Sequence, residues 1–161
     1  MTGSGETSGR MASDAPAGFA GEIREAQPHD YAHIGELSRQ LGYPSTTDEI
    51  AARLEGMEHS SDHAVFVAAL DSEVAGWLGV YVCRMVEADP RAEISGLVVD
   101  ERYRSQRIGW HLLQHAERWA REKRCSMIGL RSNVIRDRAH AFYERHGYKH
   151  IKTQKAFRKS L

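Results

Sequence analysis

The hydrophobic positions along this chain change period several times, and each change marks an element. Residues 21–26 (GEIREA) predict a short strand. From Pro28 and Asp30 the spacing lengthens, and Ile34, Leu37 and Leu41 recur on one face, which predicts a helix through residue 41. GYPST breaks it. Thr47, Glu49 and Ile50 open a second helix, with Ile50, Leu54 and Met57 helically spaced. HAVFVAAL (63–70) and VAGWLGVYVCRM (74–85) are β-prone runs joined by the turn DSE, so 63–85 reads as a hairpin. EADPR turns again. AEISGLVV (92–99) follows as a third long strand, and Gly96 inside it marks a bulge or a close backbone approach. The second half alternates more plainly. Residues 107–123 carry Leu112, Leu113, Ala116, Trp119 and Ala120 on one helical side. SMIGLRS (126–132) is a short strand, and 136–147 is a helix that stops at Gly147. YKHIKTQKAFRKSL predicts one or two closing strands. Together these give an α/β domain of the α+β type, a mixed sheet with helices on both faces.

Composition narrows the classes of function. At 161 residues the chain is long enough for one domain with a real core. Residues 1–19 are rich in Gly, Ser, Thr and Ala and short of large apolar side chains. They read as a flexible leader ahead of a single domain over 20–161. Lys and Arg balance Asp and Glu, so no general pull toward nucleic acid or membrane is expected. No apolar run approaches the roughly 20 residues of a membrane span, and the N-terminus lacks a signal-peptide pattern. Cys83 and Cys125 form no CxxC pair, and a reducing cytoplasm is the expected location.

The chemistry concentrates where the strand 92–99 ends at Asp100. A basic loop follows, with Arg102, Arg104 and Arg107 within six residues, and then a helix begins. A helix N-terminus leaves backbone N–H groups unpaired, and its dipole favours an anion there. Read alone, this is more often a solvated basic turn. Two motifs change that weighting. The first is RSQRIG (104–109), which matches a [Q/R]xxGx[G/A] signature at Arg104 and Gly109 and departs from it at Arg107. The second is Ala139, Phe142, Tyr143, Gly147 and Tyr148 in RAHAFYERHGYK. With their spacing, these resemble the GNAT superfamily of acetyl-CoA-dependent N-acetyltransferases over about residues 21–161.

The resemblance implies a GNAT-like fold: a mostly antiparallel sheet splayed between its fourth and fifth strands. It implies that Leu97, Val98 and Val99 pair with the pantetheine arm of acetyl-CoA like an added strand. The N–H groups of Arg104, Ser105, Gln106, Arg107, Ile108, Gly109 and Trp110 would wrap the pyrophosphate. Tyr143 would stand near the sulfur as coenzyme contact and acid, and Glu93 falls where part of the family carries its base. Many members place an asparagine where this chain has Arg136; Asn133 is the nearest asparagine and the expected coenzyme contact in its place. Glycine at 107 would admit a phosphate without a Cβ; arginine there is harmless if its backbone is helical and strains the loop if φ is positive. Glu93, directly or through water, would take a proton from the substrate ammonium. A backbone N–H near Val98, freed by the bulge, would hold the oxyanion, and Tyr143 would protonate the departing thiolate.

Other readings of the same residues stand beside this one. From spacing alone Tyr143 is a core aromatic, Glu93 an ordinary strand residue, and Trp77, Tyr81 and Met85 either core or a cleft lining. His111 and His115 have the i, i+4 spacing of a zinc helix but lack its glutamate and any third ligand, so no metal is expected. The expected acceptor is a small-molecule primary amine, of aminoglycoside or polyamine type. A protein N-terminus or lysine is the second reading, and a non-catalytic acyl-CoA-binding domain or a nucleotide-binding regulator are the rivals of another class. A homodimer is expected through the C-terminal strands.

Overall fold

The structure is a computed structural model that describes residues 19–161. The leader expectation for residues 1–18 lies outside the described residues. Phe19, grouped with that leader, packs against the His111 ring at 5.5 Å and so belongs with the domain.

Among the described residues, five strands form one sheet in chain order. β1 (Glu22–Glu25), β2 (His63–Leu70), β3 (Glu73–Met85) and β4 (Ala88–Val99) pair antiparallel, and β5 (Ile128–Leu130) pairs parallel to β4. α1 (Tyr31–Leu41) and α2 (Thr47–Glu55) cover one face. α3 (Ile108–Glu122) and α4 (Asp137–Arg145) lie on the other. α2 starts where the sequence places it, because Thr46 and Glu49 form a reciprocal cap: the Glu49 N–H donates to the Thr46 hydroxyl at 3.2 Å, and the Thr46 N–H donates to the Glu49 carboxylate at 2.9 Å.

Each face of the sheet has its own core. Under α3, Leu78, Val80, Ile94, Leu112, Leu113 and Ala116 are buried around Phe66. Under α1, Tyr31, Ile34 and Leu37 seal Val67, Val74 and Val98. Burial of a Leu- or Phe-sized side chain contributes about 1.5–3 kcal/mol, so these two layers hold the sheet as a rigid platform. A buried ion pair closes one corner, with the Arg24 guanidinium donating to Asp30 at 2.6 and 2.9 Å. Burial pushes the Asp30 carboxyl up, but Arg24 and the Gln27 N–H outweigh it and the net direction is down.

Two local expectations fail for physical reasons. EADPR is largely strand, since β4 begins at Ala88. Pro90 is tolerated because β5 does not begin pairing with β4 until Ala92, so the missing N–H faces no partner. The tail 149–161 forms no strand and is exposed throughout. Its alternation is β-prone, but a strand needs a hydrogen-bonded neighbour, and the tail has none among the described residues.

Candidate functional site

β4 carries a bulge. Gly79 pairs with Gly96 and Val80 with Ile94, so Ser95 is the extra residue. This changes which backbone groups face outward. The Ala92 N–H donates to Met127 beside β5, whereas the Asp100 N–H donates to Ala75 of β3. Alternation along the strand therefore turns the Val98 N–H toward β3 and leaves the Leu97 and Val99 N–H groups on the opposite edge. On that edge β5 pairs only with Ala92, Glu93 and Ile94. Past residue 94 the two strands part, and the outer edge of β4 at 97–99 has no strand beside it among the described residues.

Gly96 serves this geometry directly. A Cβ there would lie 2.8 Å from the Trp77 ring, so only glycine lets the indole lie across the bulge. Trp77 is part of the α1-side core, and its Nε1 is buried without a hydrogen-bond partner among the described residues. Tyr81 and Glu93 are cross-strand partners on the same face, further from α1.

The basic loop is less positively charged than it reads. Asp100 is buried and accepts from the Arg102 N–H at 2.9 Å and from the Arg102 guanidinium at 3.1 and 2.8 Å. Arg102 also lies 3.3 Å from Glu73. Its charge is spent within the loop, and it holds the Asp100 carboxyl below the usual carboxylate range. Arg104 touches Glu101 only at 4.0 Å, and Arg107 has no ion pair among the described residues. These two remain for an anion.

Arg107 is not helical. It is the N-cap of α3 with φ 61° and ψ 10°, and Ser105 also has positive φ, 68°. The helical expectation at 107 is therefore corrected: the chain must reverse sharply from a 3-10 turn at Glu101–Tyr103 into α3, and a left-handed step makes that reversal. The signature's glycine belongs at such a backbone position, and arginine there costs about 1–2 kcal/mol. The arginine also supplies no side-chain cap. The N–H groups of Ile108, Gly109 and Trp110 in the first turn consequently have no intrahelical partner.

Gly109 has a different purpose. A Cβ on it would stand 3.1 Å from the Phe142 ring. The two motifs thus meet in space, with Phe142 of α4 seated on the start of α3. Tyr143 follows, its ring 5.3 Å from Phe142 and 5.6 Å from Tyr148. Burial lifts the Tyr143 phenol to about 12, with Arg136 pulling weakly the other way. It makes no side-chain hydrogen bond among the described residues. Tyr148 donates to Glu117 at 3.3 Å, and burial raises it as well.

Glu93 is 6% exposed. Its Oε1 accepts from the Arg91 Nε at 2.9 Å, and Arg131 stands 4.0 Å from Oε2. Asn133 is exposed, and its Oδ1 accepts from the Ile135 N–H at 3.2 Å, an Asx turn ahead of α4. Arg136, where the family pattern favours asparagine, donates to the Leu41 carbonyl at 2.8 Å. Gln40 accepts the Glu101 N–H at 3.2 Å, so the last turn of α1 touches both loops. His111 packs between Phe19 and Trp110, and His115 stands edge-on to Phe66; burial lowers both imidazoles. Sequence reasoning missed Ser95, whose hydroxyl lies over Gly79 at the bulge. The Ser-Gly step in mid-strand was its only signal.

A mixed sheet opened beside an uncapped helix start offers unpaired main-chain donors to an extended anionic ligand, and the family match places that frame among the acyl-group transferases. The acetyltransferase (GNAT) family model matches residues 15–148. The chain belongs to that family and is an acetyl-transferring enzyme. It is 34% identical over 143 residues to an aminoalkylphosphonate N-acetyltransferase of Salmonella typhimurium, covering 84% of this chain and 90% of the relative. A putative acetyltransferase of Agrobacterium tumefaciens is 26% identical, with a TM-score of 0.76 and coverage of 86% and 99%. An aminoglycoside antibiotic 6'-N-acetyltransferase of Acinetobacter haemolyticus shares the fold at TM-score 0.76 and 17% identity, over 87% and 99% of the two chains.

Proposed function

We propose that this enzyme transfers the acetyl group of acetyl-CoA to the primary amine of a small molecule. The observation that carries the reading is the unpaired edge of β4 at Leu97 and Val99, running into the uncapped first turn of α3. Those orphan N–H groups are donors of the kind a pantetheine amide and a pyrophosphate need. On this reading Leu97, Val98 and Val99 line the pantetheine arm, Leu97 and Val99 through main-chain hydrogen bonds and Val98 by fixing the strand. Residues 104–110 hold the pyrophosphate, with Arg104 and Arg107 adding charge, and Asn133 shapes the loop at its flank. Acetyl-CoA supplies an activated acyl group as a thioester.

The residues divide the work. Glu93 accepts a proton from the arriving ammonium through its less engaged Oε2. The outward N–H groups at the bulge donate to the acyl oxygen. As the C–N bond forms and the C–S bond breaks, Tyr143 donates a hydrogen bond to the sulfur, which leaves as the thiolate, and the nitrogen's second proton passes to water. Its lifted phenol stays protonated at neutral pH, so it is a hydrogen-bond donor throughout. Full proton transfer to a thiolate of ordinary basicity is uphill by three to four orders of magnitude, since a thiol sits near 8.5. A sulfur desolvated in the same pocket narrows that gap.

A small amine acceptor, aminoalkylphosphonates first among them, is supported by the Salmonella relative. A homodimer is proposed on the exposed tail 149–161 and the free outer edge of β5, and the cytoplasm on the two free cysteines. Thiol release from acetyl-CoA across an amine panel tests the function, with thermal shift by acetyl-CoA against ATP and NAD beside it. The expected result is amine-dependent release and a rise in midpoint with acetyl-CoA alone. Release no faster than the amine-free blank for every amine overturns it.

A further inference from the structure

On the face of the sheet that carries α1, the helices stop short of β5. Beyond Trp77 that face presents Tyr81 of β3, Glu93 of β4 and Arg131 just after β5; neither helix core reaches them among the described residues, and Glu93 is kept to 6% exposure by its neighbouring side chains, Arg91 foremost. Gly129 is paired directly with Glu93 across the parallel ladder, and a Cβ placed on it would meet nothing within 4 Å. There is thus a gap in the side-chain layer over Gly129, level in the ladder with the buried Glu93. It lies one step from the Ile94–Leu130 pair, where the strands part and the bulge begins.

The two guanidinium groups around this gap are not equally engaged, and Glu87 as well as Glu93 acts on Arg91. One carboxylate, Glu93, faces two guanidinium groups. Arg91 is committed to it, with Nε on Oε1 at 2.9 Å and only 26% of its side chain exposed. Arg131 is not. It reaches Oε2 only at 4.0 Å and is 72% exposed. The gap is bounded on one side by an anion with a free acceptor oxygen and on the other by an uncommitted cation. Such a pair recognises a molecule that carries the opposite pair in one small frame.

We propose that Arg131, backed by Arg91, binds an oxyanion carried by the acceptor itself, so that the acceptor is a small zwitterion whose ammonium rests on Glu93 over Gly129. The inference rests on the acetyl-transfer reading above and narrows its acceptor. A phosphonate, a phosphate ester or a carboxylate supplies the shared chemistry, since a guanidinium fork takes two oxygens of any of them. A polyamine is disfavoured, because its second cation would fall against Arg131.

The test compares three amines built on a two-carbon spacer: 2-aminoethylphosphonate, β-alanine, and ethanolamine, which carries the ammonium but no anionic group. The full chain is assayed as wild type, Arg131→Ala and Arg131→Lys. The wild type is expected to prefer an anionic amine over ethanolamine by at least tenfold in kcat/KM. Arg131→Ala should lose about 10- to 100-fold with the anionic amine, mainly through KM, and at least tenfold less than that with ethanolamine. Arg131→Lys should recover part of the loss. Phosphonate against carboxylate then separates the two oxyanion shapes. Calorimetric binding of 2-aminoethylphosphonate to wild type and Arg131→Ala reads the site without turnover. Gly129→Val, which fills the gap, should weaken that binding while the acetyl-CoA thermal shift persists. Binding lost in Arg131→Ala with no thiol release from any amine would keep the anion site and sink the acetyl-transfer reading. Thiol release that is equal for ethanolamine and the anionic amines, or equally reduced for both in Arg131→Ala, would overturn the anion site and leave acetyl transfer standing.

Discussion

On the proposed coenzyme side the donors are main chain: the N–H groups of Leu97 and Val99 on one edge of β4, and those of the first turn of α3. On the proposed acceptor side the groups are side chains, with Glu93, Arg131 and the gap at Gly129 drawn from β4, β5 and its end. The first side is set by how the backbone runs, through a bulge and two left-handed residues, and many side chains satisfy it. The second is set by which side chains the register brings level, and a change of one residue alters what it recognises. On the proposed assignment, the first side tolerates sequence change and the second does not.

The comparison can be broken at several points. The largest effect is expected at Tyr143, the proposed hydrogen-bond donor to the sulfur. Tyr143→Phe should lower kcat by about 10²-fold with little change in the KM for acetyl-CoA, measured by thiol release. An unchanged kcat would remove the donor assignment. Because the folded phenol lies at about 12, no alkaline loss of activity that vanishes in Tyr143→Phe should appear below pH 10.

Next comes the buried end of β4. Asp100→Asn should destabilise the protein by about 1–3 kcal/mol, since Arg102 loses its charged partner in the loop. Asp100 titrates lower in the folded state than in the unfolded chain. Its stabilisation is therefore present above about pH 4 and lost as pH falls through the folded value. Thermal melts from pH 7 to pH 3 should be steeper at the acid end for wild type than for the variant. Gly109→Ala follows, with a loss of about 1–2 kcal/mol as the new Cβ presses on Phe142, and a weaker acetyl-CoA shift. If stability falls and the shift is untouched, the seating of α4 on α3 does not matter to the coenzyme side.

Arg107→Gly should have the smallest effect. Relief of the left-handed strain is partly offset by the entropy of an unfolded glycine. The net gain should be below about 1 kcal/mol, a rise of about 2–4 °C at most for a domain of this size. A loss of acetyl-CoA affinity in that variant would show that the Arg107 charge, rather than its backbone, serves the anion.

This division also explains what was legible in the sequence. Helical and strand periods are local, so α1, α3 and the β2–β3 hairpin could be read from Ile34, Leu37, Leu112, Ala116 and the β-prone run at 63–70. The frame of the proposed coenzyme side was legible because its parts are contiguous: strand, basic loop and helix start occupy residues 92–110. The state of Arg107 was not, because the tightness of a reversal depends on where the flanking elements dock. Nor could the free charge of the loop be read, since Asp100 silences Arg102 only once both are placed. The cluster of Arg91, Glu93 and Arg131 depends on the β4–β5 register, which no local pattern encodes. The tail 149–161 carries strand-like residues, but strand formation is a property of pairs.

The last turn of α1 has a consequence of its own. Gln40 accepts the Glu101 N–H, and the Leu41 carbonyl accepts from Arg136, so one helix end holds both loops that flank the opening of β4. Their positions are settled during folding and not at the moment of encounter. A ligand entering between them therefore loses its own freedom but not theirs, and affinity is gained through preorganisation without any added contact.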